Sequence, residues 1–343
     1  MNNDGITESG YVRIYVNNTL YANLYSEIAQ YQQDLENQGF NAEIINWSDP
    51  VVENLKGDLI NSQNSTFVGA VLIGKIPYAN YEMGGAVFPC DLYLMDLDGV
   101  WGDLSGVVGA YDNHFGGGGD VYPEIWIGRI NPEKLNNIGS HLQAYKDYFN
   151  RNHAYRDSSL YRPHSALVYV DYDWTDSNAV WHDGVKKSYS NTTLIGVNAT
   201  TNDIDYESRI QSTRYELIHA MIHSTSTQHQ FYSGGSSAGI TTNTEINALT
   251  TNPLFYNLYC CSACDFRVIN NIGTQYLFSS NSLCVIGSTK SGGMLMISYF
   301  YTPLGKGYSI GESFRQWWSN PLHGPDDSYS QGLCILGDPL LTI

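Results

Sequence analysis

The chain has 343 residues, of which 42% are hydrophobic, and its formal net charge is −17. This length and composition predict a folded protein with one large core or two packed halves, not a disordered chain. A chain this acidic repels phosphate groups, so we expect neither nucleic acid nor an anionic membrane surface as a partner. No run of about 18 apolar residues occurs, so no membrane-spanning helix is expected. The N-terminal residues lack the basic and apolar segments of a signal peptide.

Strand and helix patterns alternate through the first half of the chain. Short apolar runs predict strands over 10–16, 42–47, 66–74 and 124–130. Apolar residues at helical spacing predict helices over 20–35, 50–62 and 135–149. Asp49 is expected to cap the second of these helices, with Pro50 at its first position. Residues 75–123 are rich in Gly, Asp and Asn, which predicts a long irregular segment.

A second series of strand patterns begins near residue 160. Apolar runs predict strands over 165–172, 216–224, 254–261, 282–289 and 332–338. Strands separated by helices are typical of a mostly parallel sheet covered by helices on both faces. We therefore predict an α/β fold of two packed subdomains, residues 1–155 and 156–343, each with a mostly parallel sheet flanked by helices.

Chemically reactive side chains follow three successive strands of the second half. Asp171 and Asp173 follow the first strand, His223 ends the next, and Cys261 ends the one after. In open parallel sheets, sites form beyond the carboxyl ends of the strands, so these side chains are expected at one edge. A cysteine next to an imidazole there is the arrangement of an activated thiol nucleophile.

Each of these residues also has a structural interpretation. A single histidine or cysteine near an apolar strand is more often a core residue than a catalytic one. Cys261 and Cys264 also form a C-x-x-C pair, which occurs in zinc and redox sites, but no second pair accompanies it. It is the combination of Cys261, His223 and the acidic strand end that favours catalysis.

Six segments, in order, resemble those of one enzyme family: GAVLIGKIP (69–77), YPEIWIGRINPE (122–133), MIHSTSTQHQF (221–231), NLYCCSACDF (257–266), CVIGST (284–289) and LGDPLL (336–341). The chain thereby resembles the catalytic domain of the gingipain family, which belongs to the caspase-like clan of cysteine peptidases. The resemblance implies a caspase-like fold and cleavage of polypeptide substrates as an endopeptidase.

The resemblance also implies roles for individual residues. His223 takes the place of the catalytic histidine, and Cys261 that of the nucleophile, because it stands five positions before the aromatic Phe266. Asp173 matches the acidic residue that orients the histidine, with Asp171 as the near alternative.

The oxyanion hole would be built from the backbone N–H groups of Ser224 and Cys261. The clan usually has Gly at the position of Ser224. Serine keeps the backbone N–H that the oxyanion hole needs, but the replacement also favours the alternative of a family member without catalytic activity. Asp176 and Asp183 fall in the region that supplies the acid of the substrate pocket in the family. They predict a preference for Arg or Lys before the cleaved bond.

The acidic loop 96–120 is a candidate site for structural calcium, as in many gingipain-type domains. Asp96, Asp98 and Asp103 are the first candidates for its ligands, followed by Asp112 and Asp120. Loop aspartates are also common turn formers, and the spacing is not that of a helix–loop–helix calcium site. We expect no cofactor to be required for the reaction.

Two other functions remain open. A sortase-like transpeptidase of the same family would use the same Cys261 and His223 and pass the acyl group to an amine. A catalytically inactive surface binding module would keep the fold without the reaction. No G-x-G-x-x-G follows the first strand, which disfavours a dinucleotide enzyme. We expect an extracellular or cell-surface protein, with an inhibitory prosegment as a further partner.

Overall fold

The computed structural model describes residues 8–104, 106–196, 201–320 and 329–343. Eighteen strands are formed within these ranges: β1 (Gly10–Asn17), β2 (Phe40–Trp47), β3 (Phe67–Ile73), β4 (Asn80–Met83), β5 (Ala86–Pro89), β6 (Val100–Gly102), β7 (Ala110–Tyr111), β8 (Asn113–Phe115), β9 (Trp126–Ile130), β10 (Ala166–Val170), β11 (Thr192–Ile195), β12 (Leu217–Met221), β13 (His223–Ser224), β14 (Gln228–Ser233), β15 (Ser236–Thr242), β16 (Phe255–Tyr259), β17 (Cys284–Ser288) and β18 (Leu333–Gly337).

Eleven α-helices lie between these strands within the same ranges: α1 (Asn18–Tyr21), α2 (Tyr25–Asn37), α3 (Val52–Ser62), α4 (Leu92–Met95), α5 (His141–Arg156), α6 (Asn178–Val185), α7 (Asp203–Ile210), α8 (Asn243–Ala248), α9 (Ile272–Phe278), α10 (Ser298–Leu304) and α11 (Ile310–Trp318). A 3-10 helix, Tyr172–Ser177, precedes α6. None of the described helices is both long and apolar enough to span a membrane.

Ten strands form one sheet in the order β11-β10-β12-β16-β17-β18-β9-β3-β1-β2. All neighbouring pairs are parallel except β17 with β18. This confirms the predicted mostly parallel sheet flanked by helices. The strands before residue 155 and those after it join in this one sheet through the pairing of β18 with β9. The division into subdomains 1–155 and 156–343 stays a prediction.

The single antiparallel pairing reverses the strand direction in the middle of the sheet. The strands β11, β10, β12, β16 and β17 run one way, while β18, β9, β3, β1 and β2 run the other way. Each half of the sheet therefore has its own carboxyl edge, and the two edges lie at opposite ends of the strands. The carboxyl edge of the first group carries the residues that follow β10, β12 and β16.

Apolar side chains cover both faces of the sheet. In β12 all five residues are buried, and their side chains alternate between two hydrophobic clusters. Leu217 and Met221 join one cluster, whereas Ile218 and Ala220 join the other. Alternation of this kind is what a strand buried on both faces requires.

Several predicted boundaries differ from those of the structure. Asp49 accepts a hydrogen bond from the Val51 backbone at 2.8 Å, but the helix begins later, at Val52. The helix predicted over 135–149 begins at His141, where Ser140 caps it by accepting from the Gln143 N–H. A capping side chain competes with helical spacing for the start of a helix, and here it decides the start. The irregular segment 75–123 contains the short strands β4 to β8.

Candidate active site

Three adjacent parallel strands bring the predicted catalytic residues to one edge of the sheet. β12 lies between β10 and β16, and Met221 is in register with Tyr259. His223 and Cys261 each stand two residues beyond this paired position. Because neighbouring strands are about 4.8 Å apart, both residues follow adjacent strand ends at the same carboxyl edge.

The His223 imidazole is bonded to a carboxylate from the neighbouring strand end. Its Nε2 lies 2.9 Å from Oδ2 of Asp173, which belongs to the 3-10 helix after β10. Both side chains are about two-fifths exposed, at 40% and 42%. A carboxylate can only accept a hydrogen bond, so Nε2 carries the proton and Nδ1 is the nitrogen left for chemistry.

Two aromatic rings enclose the same imidazole. The Trp174 ring lies 4.3 Å from that of His223 between centroids, and the Tyr232 ring meets it edge-on at 5.2 Å. Trp174 also contacts Tyr259, on the strand that leads to Cys261, at 6.3 Å. Asp173, Trp174 and Tyr232 thus restrict the rotation of the His223 ring.

Asp171, the alternative acidic residue, has a different environment. Its side chain is buried and accepts hydrogen bonds from the Tyr232 backbone N–H at 3.1 and 2.9 Å. Burial raises the pKa of this carboxyl to about 6, against the lowering effect of those hydrogen bonds. Asp171 holds β14 against the end of β10, whereas Asp173 is the acid that reaches His223.

The turn after β16 exposes Cys261 and buries its two cysteine neighbours. Cys261 is partly exposed, whereas Cys260 and Cys264 are buried. The Cys260 thiol packs 3.8 Å from the Ala220 carbonyl oxygen, and burial holds its pKa well above the usual range. Cys264 contributes to the core on the same face as Cys260. Its burial leaves Cys261 as the accessible member of the C-x-x-C pair.

The backbone of this turn is unusual at the residue after Cys261. Ser262 has a φ of 56°, in the left-handed region, and its N–H donates to the Lys290 carbonyl at 2.8 Å. The Cys264 N–H donates to the Ser288 carbonyl at 2.9 Å. Both bonds fasten the turn after Cys261 to the end of β17 and so hold the backbone that follows the thiol in place.

Ser224, which replaces the usual Gly, adopts an extended conformation that does not need glycine. It lies in β13 opposite His229 and is not among the residues with positive φ. Its hydroxyl donates to the Gln228 carbonyl at 2.9 Å and therefore turns into the hairpin. The Ser side chain imposes no backbone strain at the predicted oxyanion hole.

The predicted pocket acids Asp176 and Asp183 are both exposed. Asp176 lies in the 3-10 helix with Asp173, and Asp183 lies in α6, where its carboxylate is 3.8 Å from His182 Nδ1. Among the described contacts, none joins either carboxylate to His223 or Cys261.

The acidic loop brings together two of its predicted ligands with a third residue. Oxygen atoms of Asp96, Asp98 and Glu124 lie within 4.8 Å of one another. Burial raises the pKa of Glu124 to about 7, and the nearby Asp98 and Asp96 add to this effect. Asp103 stands apart from the trio, and its Oδ2 accepts from the Gly109 N–H at 2.9 Å.

The other two predicted calcium ligands accept hydrogen bonds from backbone N–H groups of the loop. Asp112 accepts from the Leu104 N–H at 2.9 Å, and Asp120 accepts from the Tyr122 N–H at 2.7 Å. Sequence reasoning missed Glu124 because it was assigned to a strand. It also missed Trp174 and Tyr232, since aromatic residues in loops follow no periodic pattern.

Comparison with known proteins identifies the family of the chain. The model of Peptidase family C25 matches residues 17–343, which is nearly the whole chain. A search of curated proteins finds no match. The match includes all three strand ends that carry Asp173, His223 and Cys261. The chain belongs to Peptidase family C25, the gingipain family of cysteine peptidases.

Proposed function

We propose that this cysteine peptidase is an endopeptidase that uses Cys261 as nucleophile and His223 as general acid and base. One observation carries the proposal. The imidazole of His223 is bonded to Asp173 at 2.9 Å, beside the strand end that presents the partly exposed Cys261. An oriented imidazole next to an accessible thiol is the requirement for nucleophilic catalysis by cysteine.

The proposed reaction follows from the roles of these groups. The Cys261 sulfur attacks the carbonyl carbon of the scissile bond, and the backbone N–H groups of Ser224 and Cys261 stabilise the oxyanion. His223 takes the thiol proton and delivers it to the leaving amine through the nitrogen that Asp173 does not occupy. Water then hydrolyses the thioester and restores the thiol.

A preference for Arg or Lys before the cleaved bond is supported by charge and by one aromatic ring. Asp176 and Trp174 belong to the same short helix as Asp173, and the Trp174 ring packs against the His223 imidazole. A cationic side chain binds both carboxylates and aromatic faces. The net charge of −17 also attracts basic segments of a substrate.

We also propose a structural calcium ion in the acidic loop, held by Asp96, Asp98 and Glu124. The donors are the hard oxygen atoms that calcium prefers, and burial, with a smaller contribution from the Asp98 and Asp96 charges, raises the pKa of Glu124. A bound cation would compensate the three carboxylates and fix the loop. Lys56 is attracted by the same carboxylates and already supplies part of the positive charge.

The decisive experiment compares Cys261→Ala with Cys264→Ala. Fluorogenic peptides that carry each amino acid before the scissile bond are incubated with the parent and both variants. We expect the parent and Cys264→Ala to cleave, and Cys261→Ala to lose at least about 10³-fold in kcat/KM. Cleavage by Cys261→Ala at the parent rate would exclude Cys261 as the nucleophile.

The same assay separates the alternative functions. Transfer of the acyl group to an added amine, in place of hydrolysis, would identify a transpeptidase. Absence of cleavage together with an unreactive Cys261 toward iodoacetamide would identify an inactive binding module. An extracellular or surface location, and inhibition by a prosegment, are further parts of the proposal. Fractionation of the source cells and addition of the precursor segment in trans would test them.

A further inference from the structure

A second cavity lies at the other carboxyl edge of the sheet. Its volume is about 430 Å³, and its walls include the residues that directly follow β3 and β9, namely 74–78, 131 and 133–134. Because β3 and β9 run opposite to β12 and β16, this edge is not the one that carries Cys261. Open α/β sheets bind ligands beyond the carboxyl ends of their strands, and this sheet has two such edges.

The cavity concentrates positive charge in an acidic protein. Four of the 17 Lys and Arg residues line it, namely Lys75, Arg129, Lys134 and Arg267, together with one acid, Glu133. Because the net charge of the chain is −17, a cavity lined by more cationic than acidic side chains differs from the rest of the molecule. Arg129, Arg267 and Lys75 each face a carboxylate, so among the described residues Lys134 is the lining cation without an ion-pair partner, and its charge favours an anion.

The four cationic side chains differ in whether a carboxylate neutralises their charge. The Arg129 guanidinium is buried and bonded to Asp91 at 2.7 and 3.0 Å, and Arg267 is bonded to Asp265 at 2.8 Å. Both guanidinium groups are thus fixed parts of the wall. The two lysines are mobile by comparison, because each ends a flexible chain at the surface.

Positive charge remains available at the lysines. Lys75 Nζ is 2.8 Å from Glu133, but the Lys75 side chain is 74% exposed, and an ion pair so exposed contributes little. Lys134 is exposed and has no ion-pair partner among the described residues. An anion entering the cavity can bind both ammonium groups without breaking a strong bond.

The remaining wall is apolar and aromatic. The Phe266 ring is fixed between Tyr78, at 5.3 Å and nearly perpendicular, and the Arg129 guanidinium, at 5.0 Å. Ile76 and Leu277 add aliphatic surface to the same cavity. Ligand sites are typically cavities of about 300–1,000 Å³ with apolar walls and a few polar groups that fix orientation.

We propose that this cavity is a binding site for a small organic carboxylate with an apolar, aromatic-sized body, separate from the peptidase site. The carboxylate binds the ammonium groups of Lys134 and Lys75, and the apolar body packs on Phe266 and Leu277. Neither Cys261 nor His223 lines this cavity, whereas Phe266 and Arg267 of its wall follow Cys261 by five and six residues.

The test uses two probes of equal shape, 4-phenylbutanoate and its uncharged amide, 4-phenylbutanamide. Binding to the full chain is titrated by saturation-transfer NMR, with the parent, Lys134→Glu and Lys306→Glu. Lys306 is an exposed lysine outside the cavity and serves as the matched control. We expect the carboxylate to bind at least about fivefold more tightly than the amide, which is about 1 kcal/mol.

The variants and salt distinguish this site from other binding. Lys134→Glu should weaken carboxylate binding by about tenfold and leave amide binding unchanged, while Lys306→Glu should alter neither. Raising the salt concentration should weaken the carboxylate only. Equal binding of the two probes, or binding unaffected by Lys134→Glu, would overturn the proposal. Loss of binding after alkylation of Cys261 would place the probe in the catalytic site and would also overturn it.

Discussion

The orientation of one imidazole ring governs the proposed chemistry. His223 makes its hydrogen bond through Nε2, so Asp173 determines which nitrogen carries the proton. The ring also lies between Trp174 and Tyr232, which limit its tilt. Electrostatic and steric orientation therefore come from different residues, and they can be separated by substitution.

Asp173→Asn should test the electrostatic part. The amide retains the shape of the side chain but cannot stabilise an imidazolium, so kcat should fall by about 10–10² with KM changed less than about twofold. Asp147→Asn, at an exposed position of α5 outside the candidate site, is the control and should leave kcat unchanged. Steady-state kinetics on the best peptide measures both. An unchanged kcat in Asp173→Asn would make this residue a solvated surface acid.

Trp174→Ala should test the steric part. Loss of the ring that packs 4.3 Å from His223 frees the imidazole to rotate, so kcat should fall by about tenfold. Trp174→Phe keeps a flat ring and should recover most of the rate. If both variants keep the kcat of the parent, the ring does not position His223, and a rise in KM with kcat unchanged would assign Trp174 to substrate binding.

Sequence reasoning reached the residues that stand at strand ends but not those that enclose them. Apolar runs locate the end of a buried strand, so Asp173, His223 and Cys261 could be placed at one edge. Trp174 could not be placed, because it follows the strand in a helix of six residues whose direction is set by tertiary contacts. Glu124 lies close to Asp96 because the chain comes back to this place after a long loop, and local sequence patterns do not predict such a contact.

The turn that presents the nucleophile is the element with the clearest backbone requirement. Ser262 has a φ of 56°, which costs about 1 kcal/mol for a residue with a Cβ, and more for a β-branched one. The hydrogen bonds to the end of β17 maintain this conformation. The position after Cys261 is therefore sensitive to the shape of the side chain.

The effect of a substitution at Ser262 on stability should depend on how well the new residue tolerates a positive φ. Ser262→Val should lower the free energy of unfolding by about 1–2 kcal/mol, whereas Ser262→Gly should change it by less than about 1 kcal/mol. Urea denaturation measures both. Ser298→Val at the first residue of α10 is a control without positive φ. Equal stability of the Val and Gly variants at 262 would show that the turn relaxes without cost.

The limits of buried strands were easier to predict from the sequence than the first residues of helices. A strand buried on both faces is a continuous apolar run, as in β3 and β12, and its limits are read from composition. A helix start depends on which polar side chain caps it, and several candidates usually compete. Helices α5, capped by Ser140, and α3, which begins two residues after Pro50, illustrate this, because each begins later than its apolar spacing predicts.

At the scale of the whole molecule, the reversal of strand direction between β17 and β18 separates two carboxyl edges. The apolar run 332–338 predicted a strand correctly but could not give its direction, since burial patterns are the same for parallel and antiparallel strands. The reversal places the catalytic residues at one edge and the cationic cavity at the other.

The buried Asp171 and the half-buried Glu124 make the stability of the molecule dependent on pH. The folded pKa values of Asp171 and Glu124 are raised to about 6 and about 7, from ordinary values of 3.8 and 4.5. A raised folded pKa means that protons bind more tightly to the folded state. The stabilising contribution is therefore fully present below the unfolded pKa and is lost as pH rises through about 6 to 7.

Glu124→Gln should remove one of these contributions. Between about pH 5 and about pH 8, the free energy of unfolding of the parent should fall by about 1–2 kcal/mol more than that of Glu124→Gln. Millimolar calcium should abolish this difference if Glu124 is a ligand, because the ion compensates the carboxylate at high pH. Asp103→Asn is the matched control, and its stability should respond to calcium as the parent does. The opposite outcome is that calcium stabilises Glu124→Gln as much as the parent but does not stabilise Asp103→Asn. In that case Asp103 holds the ion and Glu124 does not, and the pKa of Glu124 is raised without any role in calcium binding.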